Sequence, residues 1–178
     1  DYSIDDLKND KTEPWDGIRN YQVRNMIRDD MRIGDIAFYY HSNCDIPGIY
    51  GLMTINSNAY PDHTAFDKKA KYYDIKSDKK KPTWLMVDVK YKRKLKNPIT
   101  LKELKNDKKL SNMRVVQKGN RLSITEVEKE DWEYILSLEK WFKCKIIIIY
   151  IINQKIIQKK INNYKKDEII IKNIEKKT

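Results

Sequence analysis

Cysteine is nearly absent from this chain of 178 residues: Cys44 and Cys144 are its two examples, a hundred positions apart. Such a pair makes no disulfide framework, and a reducing compartment is expected. Glycine and proline number five each, which excludes collagen-like and Pro/Gly-rich low-complexity classes. Long apolar runs are missing as well. The longest block, Ile146 to Ile152, has seven residues, whereas a spanning helix needs about 20, so no membrane partner is expected. The chain opens Asp1-Tyr2-Ser3, with neither a methionine nor a secretory signal, and reads as a fragment whose natural amino terminus is missing.

Catalytic signatures are equally scarce. There is no Gly-rich phosphate loop, no Gly-x-Ser-x-Gly elbow and no His-Glu-x-x-His. His41 and Cys44 have a spacing that could ligate a metal, but zinc needs about four ligands, three of them from protein at catalytic sites. The rest of the body adds only His63 and carboxylates. Nothing indicates a group that would orient Cys44 as a nucleophile. The expectation is a protein without catalytic residues, metal or cofactor.

What the chain does have is charge, at 35% of positions and a net +11, alongside 40% hydrophobic residues and a mean hydropathy of -0.80. The length suits one domain with an adequate core. Most of the positive charge lies in residues 139–178, where eleven lysines face four acids. Thirteen isoleucines and four asparagines complete most of that stretch, a low-complexity composition of residues with AT-rich codons. It reads as an extension to a body spanning 1–138, and its Ile146–Ile152 block is an aggregation hazard. Its lysines would attract phosphates without reading sequence, so its deletion is expected to leave recognition intact.

In the body, Ser3 to Asp6 has the spacing of a capping box and opens a short helix through Leu7. Glu13-Pro14-Trp15-Asp16-Gly17 then reads as a loop carrying a tryptophan. Val23, Met26, Ile27 and Met31 fall on one face of a helix over 20–33. Strands are expected near 36–41, 49–55, 84–92, 113–116 and 122–127. Leu85, Val87, Val89 and Tyr91 share one face of the third. Residues 56–83 form a long, weakly periodic connection. Thr100-x-x-Glu103 caps another helix, and Trp132, Ile135 and Leu136 mark a closing one. Strands without regular βαβ alternation favour a mixed sheet or small barrel with peripheral helices over a doubly wound fold.

The strongest functional signal is aromatic residues beside polar donors. Trp15 lies near Asn20; Tyr39, His41, Ser42 and Asn43 gather at one strand end; Tyr60, Phe66, Tyr72 and Tyr73 crowd the long connection. Nucleobases are recognised by stacking on aromatic faces and by hydrogen bonds to their edges. The same aromatics could equally fill a small barrel.

The run from Trp15 through Arg19, Asn20 and Arg24 to Asn25 resembles a signature of the EVE domain, and more closely that of the thymocyte nuclear protein family and its bacterial relatives. Further ordered matches are Gly34-Asp35, Tyr40 to Cys44, Pro47 to Gly51, Ala59 to Asp62, Tyr72 to Asp74, Trp84 to Val89 and Arg121 to Ser123. The resemblance covers residues 1 to about 138. It implies an α+β, PUA-like small β-barrel of mixed strands flanked by helices, related to the YTH readers of methylated RNA. Family members usually begin with a strand ending in a Lys-Ser-Glu-Pro-like motif, so the barrel here is expected to lack its first strand.

The resemblance further implies a non-enzymatic pocket for a modified nucleobase in DNA or RNA. Trp15 would stack on the base, with Asn20 and the His41-Ser42-Asn43 turn supplying polar contacts. Arg19, Arg24, Tyr39, Pro47, Gly48, Tyr60 and Phe66 complete the expected lining. The localisation expected is intracellular: cytoplasmic in a bacterium, nuclear in a eukaryote. Two other readings stand beside this one: a catalytic or accessory domain acting on nucleic acid, and an interaction module whose barrel is filled by its own side chains.

Overall fold

The computed structural model describes residues 2–139. The expectations for the Ile/Lys-rich stretch beyond them, its Ile146–Ile152 block included, lie outside the described residues. The chain divides after Trp132 into two units. Of the second, residues 133–139 are described, and they are helical.

The first unit runs α1 (Ile4–Asp10), β1 (Thr12–Trp15), α2 (Tyr21–Asp29), β2 (Ile36–His41), β3 (Gly48–Ile55), β4 (Tyr60–Pro61), β5 (Leu85–Thr100) and α3 (Leu101–Asn106), with three short 3-10 turns. Both expected capping boxes form. Ser3 accepts from the Asp6 N–H and Thr100 from the Glu103 N–H, and each acid returns to the backbone of its cap. The five strands make an antiparallel sheet in the order β1-β5-β3-β2, with β4 also on β5. Among the described residues the sheet does not close, and β1 and β2 are its two ends.

One face of the sheet carries the core. Ile4 and Leu7 of α1 and Val23 and Ile27 of α2 pack on Met53, Ile55, Val87 and Val89. The alternation of Leu85, Val87, Val89 and Tyr91 therefore marks the side of β5 that the helices cover. Leu7, Val23 and Ile27 are fully buried, and each such side chain contributes about 1.5–3 kcal/mol.

Three expectations need correction. Glu13-Pro14-Trp15 is not a loop but part of β1, opposite Asp88, and Trp15 faces Val87. A proline can sit there because β1 is an edge strand and one N–H need not enter a ladder. Residues 114–116 form a 3-10 turn, not a strand. Residues 122–127 also lie outside any strand. Leu122 and Ile124 nevertheless pack against the core. Their alternation signalled burial correctly, but a strand also needs a neighbour to take its backbone hydrogen bonds, and none is present among the described residues. Conversely, β5 continues past Lys92 to Thr100 through register shifts against β3, which interrupt the pattern a regular strand would show.

Candidate nucleic-acid interface

The segment after β1 is fastened by a buried carboxylate. Asp62 has no exposed surface and accepts hydrogen bonds from the Gly17 N–H at 2.9 Å, Arg19 Nη1 at 2.7 Å, the Thr64 N–H at 2.8 Å and the Thr64 hydroxyl at 2.6 Å. Burial pushes its pKa upward, yet these hydrogen bonds outweigh burial and hold the carboxyl below its ordinary range. Gly17 has φ +73°, and a Cβ there would meet the Tyr72 ring at 2.5 Å, so only glycine fits this bend.

Arg19 binds on every side. Besides Asp62, it donates to Ile18 O at 2.9 Å, to Thr64 Oγ1 at 3.1 Å and twice to Tyr72 O. Its guanidinium lies 5.6 Å from the Trp84 ring centroid and 5.9 Å from that of Tyr72. All five of its N–H groups are thereby engaged. The guanidinium of Arg19, expected in the base lining, here joins Asp62, Thr64 and Tyr72. Asn20 likewise serves locally, since its Oδ1 accepts from the Gln22 and Val23 N–H groups as the N-cap of α2. Arg24 donates to Thr83 O and Asn25 and lies 5.1 Å from the Tyr21 ring centroid. Tyr21 in turn packs 4.8 Å from Trp84, whose indole N–H donates to Asp74 at 2.6 Å.

Trp15 is half-buried on the helical face of the sheet, against the same core as Leu122 and Ile124. Tyr60 pairs with Met86 on the next row of β5, so its ring points to the opposite face. There its hydroxyl donates to Asp88 at 2.5 Å. Burial first, then that hydrogen bond and the surrounding acids, push the hydroxyl up to about 12. Asp16, near Tyr60 and Asp62, has its carboxyl pushed up by burial and by the charge of Asp62. Phe66 follows the 3-10 turn His63–Ala65 and is half-buried, with Lys79 Nζ 5.9 Å from its ring centroid.

The remaining expected residues lie elsewhere. His41 pairs with Gly48 and Gly48 with Thr100, at the far end of β5 from Trp15 and Val87. The eight residues of β3 between them separate the two ends by roughly 25 Å. Ser42 and Asn43 are exposed on the β2–β3 turn, and Pro47 lines a concavity of about 430 Å³ with Ile46, Thr100, Leu101 and Lys105. Tyr39 stands between the ends, opposite Gly51, with its hydroxyl on Tyr2 O at 2.6 Å. The expected single lining thus divides into a Trp15 end and a β2–β3 turn end, because pairing register, invisible in residue spacing, decides which strand ends are neighbours. Asp62 and Trp84 went unassigned from sequence although both fall in the matched runs; the Asp62-x-Thr64 turn spacing was the available signal.

Gly48 has a structural reason for its identity. A Cβ there would lie 2.5 Å from the Ile99 carbonyl oxygen, so Gly48→Ala must push β3 and β5 apart. The expected cost is about 1–3 kcal/mol of stability, read from the urea midpoint. A loss below a few tenths of a kcal/mol would show that the strands give way freely.

Comparison with known proteins decides the family. The family model of the EVE domain matches residues 1–138. The chain belongs to the EVE-domain family. An uncharacterized protein of Schizosaccharomyces pombe is 47% identical over 132 residues, covering 73% of this chain and 55% of that protein. Human thymocyte nuclear protein 1 is 46% identical over 149 residues, covering 78% of this chain and 65% of that one. The chain therefore spans between about half and two thirds of these relatives. Among solved structures, human THYN1 protein in complex with 5-methylcytosine-containing DNA is 47% identical, with a TM-score of 0.73 over 78% of this chain and 85% of that one. This EVE domain has, among its described residues, no helix long and apolar enough to cross a membrane and no group of three or more His, Cys, Asp or Glu able to hold a metal.

Proposed function

We propose that this EVE domain recognises a modified nucleobase in nucleic acid, by non-covalent contact and without catalysis. The observation that carries the reading is the 47% identity to a human protein crystallised with 5-methylcytosine-containing DNA. Trp15 is the residue proposed to stack on the base. Two features support it: the ring keeps part of its surface at an edge strand, and the Asp62–Gly17–Arg19 ties fix the segment that follows it, so little ordering entropy is lost on binding. Asp16, next to Trp15, offers a carboxyl able to accept from the amino group of cytosine. In a eukaryote the site of action proposed is the nucleus, in keeping with the names of the relatives.

The sheet is further proposed to close as a PUA-like barrel. Closure into a PUA-like barrel calls for a further strand at an end of the sheet, and β2, paired on one side only among the described residues, offers such an edge. Residues 1–138 are proposed to be the recognising unit, with 139–178 dispensable for discrimination.

The test is equilibrium binding of the full chain to matched DNA and RNA oligonucleotides carrying cytosine or 5-methylcytosine. Preferential binding of a modified strand, with the oligonucleotide recovered unchanged, is expected. Equal affinity for modified and unmodified strands would overturn the reading, and a chemically altered base would turn it toward an enzyme.

A further inference from the structure

A second concavity, of about 240 Å³, lies where the first turn of α2 meets the coil that follows the 3-10 turn Arg114–Val116. Gln22 contributes from α2 and Arg114 from the 3-10 turn; Lys118, Gly119, Arg121 and Leu122 come from the coil. Three of the residues around it are cations, and none is a carboxylate. Arg114, Lys118 and Arg121 are exposed, and none of them forms an ion pair among the described residues. Elsewhere in the same unit Arg19 is paired with Asp62, Arg28 with Asp29 and Lys94 with Asp5, while Arg24 and Arg32 donate to backbone or amide oxygens instead. Gly119 has φ +83° and no atom within 4 Å of a Cβ position, so its backbone is open to an incoming group. Unpaired cations converging on a concavity with amide side chains and bare backbone make a receptor for an oxyanion.

Location narrows the occupant. Leu122 packs against the same core cluster as Trp15, and Gln22 adjoins Val23 of that cluster, so the concavity and Trp15 share the helical face of the sheet. A concavity of about 240 Å³ is ample for one phosphodiester with solvent. We propose that this concavity binds a backbone phosphate of the nucleic-acid strand whose base is read at Trp15. The inference rests on the proposed function and deepens it: Trp15 discriminates among bases, whereas Arg114, Lys118 and Arg121 hold the strand in register without reading it.

The experiment compares the full chain with the triple variant Arg114→Gln, Lys118→Gln, Arg121→Gln, against oligonucleotides carrying cytosine or 5-methylcytosine, across a salt series. Because both proteins keep residues 139–178, the lysines there contribute equally to each. Both affinities are expected to fall together, by about tenfold or more at low salt, as befits lost charge-assisted hydrogen bonds. The slope of log affinity against log salt should become shallower by about 0.7–0.9 for the one phosphate released. The ratio between modified and unmodified strands should stay as it was.

An unchanged slope and affinity would overturn the proposal, as would a collapse of the ratio at constant slope, which would place base reading in the concavity. Should the triple variant fail to fold, Lys118→Glu replaces it, and an unchanged affinity in that variant is equally adverse. A wild-type chain that binds both strands alike would refute base recognition, while the slope change, measurable on the unmodified strand alone, would still decide the phosphate site.

Discussion

Asp62→Ala is expected to remove about 3–5 kcal/mol of stability, the cost of breaking a buried ion pair from one side. The carboxylate is fully buried, whereas the Arg19 side chain keeps 21% of its surface exposed, so the lower part of that range is expected. The substitution deletes the acceptor for four hydrogen bonds and leaves the Gly17 N–H and the guanidinium without it. Urea denaturation measures the loss, and a change under 1 kcal/mol would show that Arg19 and Gly17 find replacements in water. The pH dependence adds a second reading. Because the folded pKa of Asp62 lies below its unfolded value, the stabilisation is present above about pH 4 and is lost as pH falls through the folded pKa. The gap between wild type and variant should therefore narrow in acid. Asp16 acts in the opposite sense: burial and the Asp62 charge raise its pKa, so its contribution is complete below the ordinary carboxyl value and lost as pH rises through the folded one. Removing Asp62 relieves part of that cost and makes the variant less sensitive to Asp16.

Trp15→Ala is expected to weaken binding to a modified strand by roughly 1–3 kcal/mol, about 5- to 150-fold, the worth of one base stacked on an aromatic ring. Stacking exchanges few counterions, so the salt slope should stay unchanged while discrimination falls. That combination is the reverse of the result expected for the Arg114, Lys118 and Arg121 substitutions. Trp15 also packs against the core, and its truncation will lower stability. Trp15→Phe separates the two effects, since a smaller ring retains apolar contact and part of the stack. Its affinity should lie between those of wild type and Trp15→Ala. An affinity for modified DNA unchanged in a folded Trp15→Ala protein would remove Trp15 from the site.

What could be read from residue order alone was whatever local chemistry settles. Ser3 with Asp6 and Thr100 with Glu103 close capping boxes within four residues, so α1 and α3 were legible at their starts. Val23 and Ile27 mark the buried side of α2, and the alternation of Val87 and Val89 marks the core side of β5, because those periodicities are properties of the isolated elements. The family, too, was legible, since ordered runs such as Trp15 to Asn25 resemble its signature, and the EVE family model matches residues 1–138.

Only the tertiary structure decided who stands beside whom. Pro14 enters a strand because β1 is an edge; Leu122 and Ile124 alternate without a strand because no strand pairs with them among the described residues, and the Leu122 N–H goes to Asn120 Oδ1 instead. Gly48 and Trp15, both expected in one lining, fall at opposite ends of β5, since register depends on partners distant in sequence. The guanidinium of Arg19, expected in the base lining, is held by Asp62, 43 residues away. Side-chain identity limits what a residue can bind, but the cost of burying an unpaired charge or amide determines what it does bind, and that balance exists only once the chain has folded.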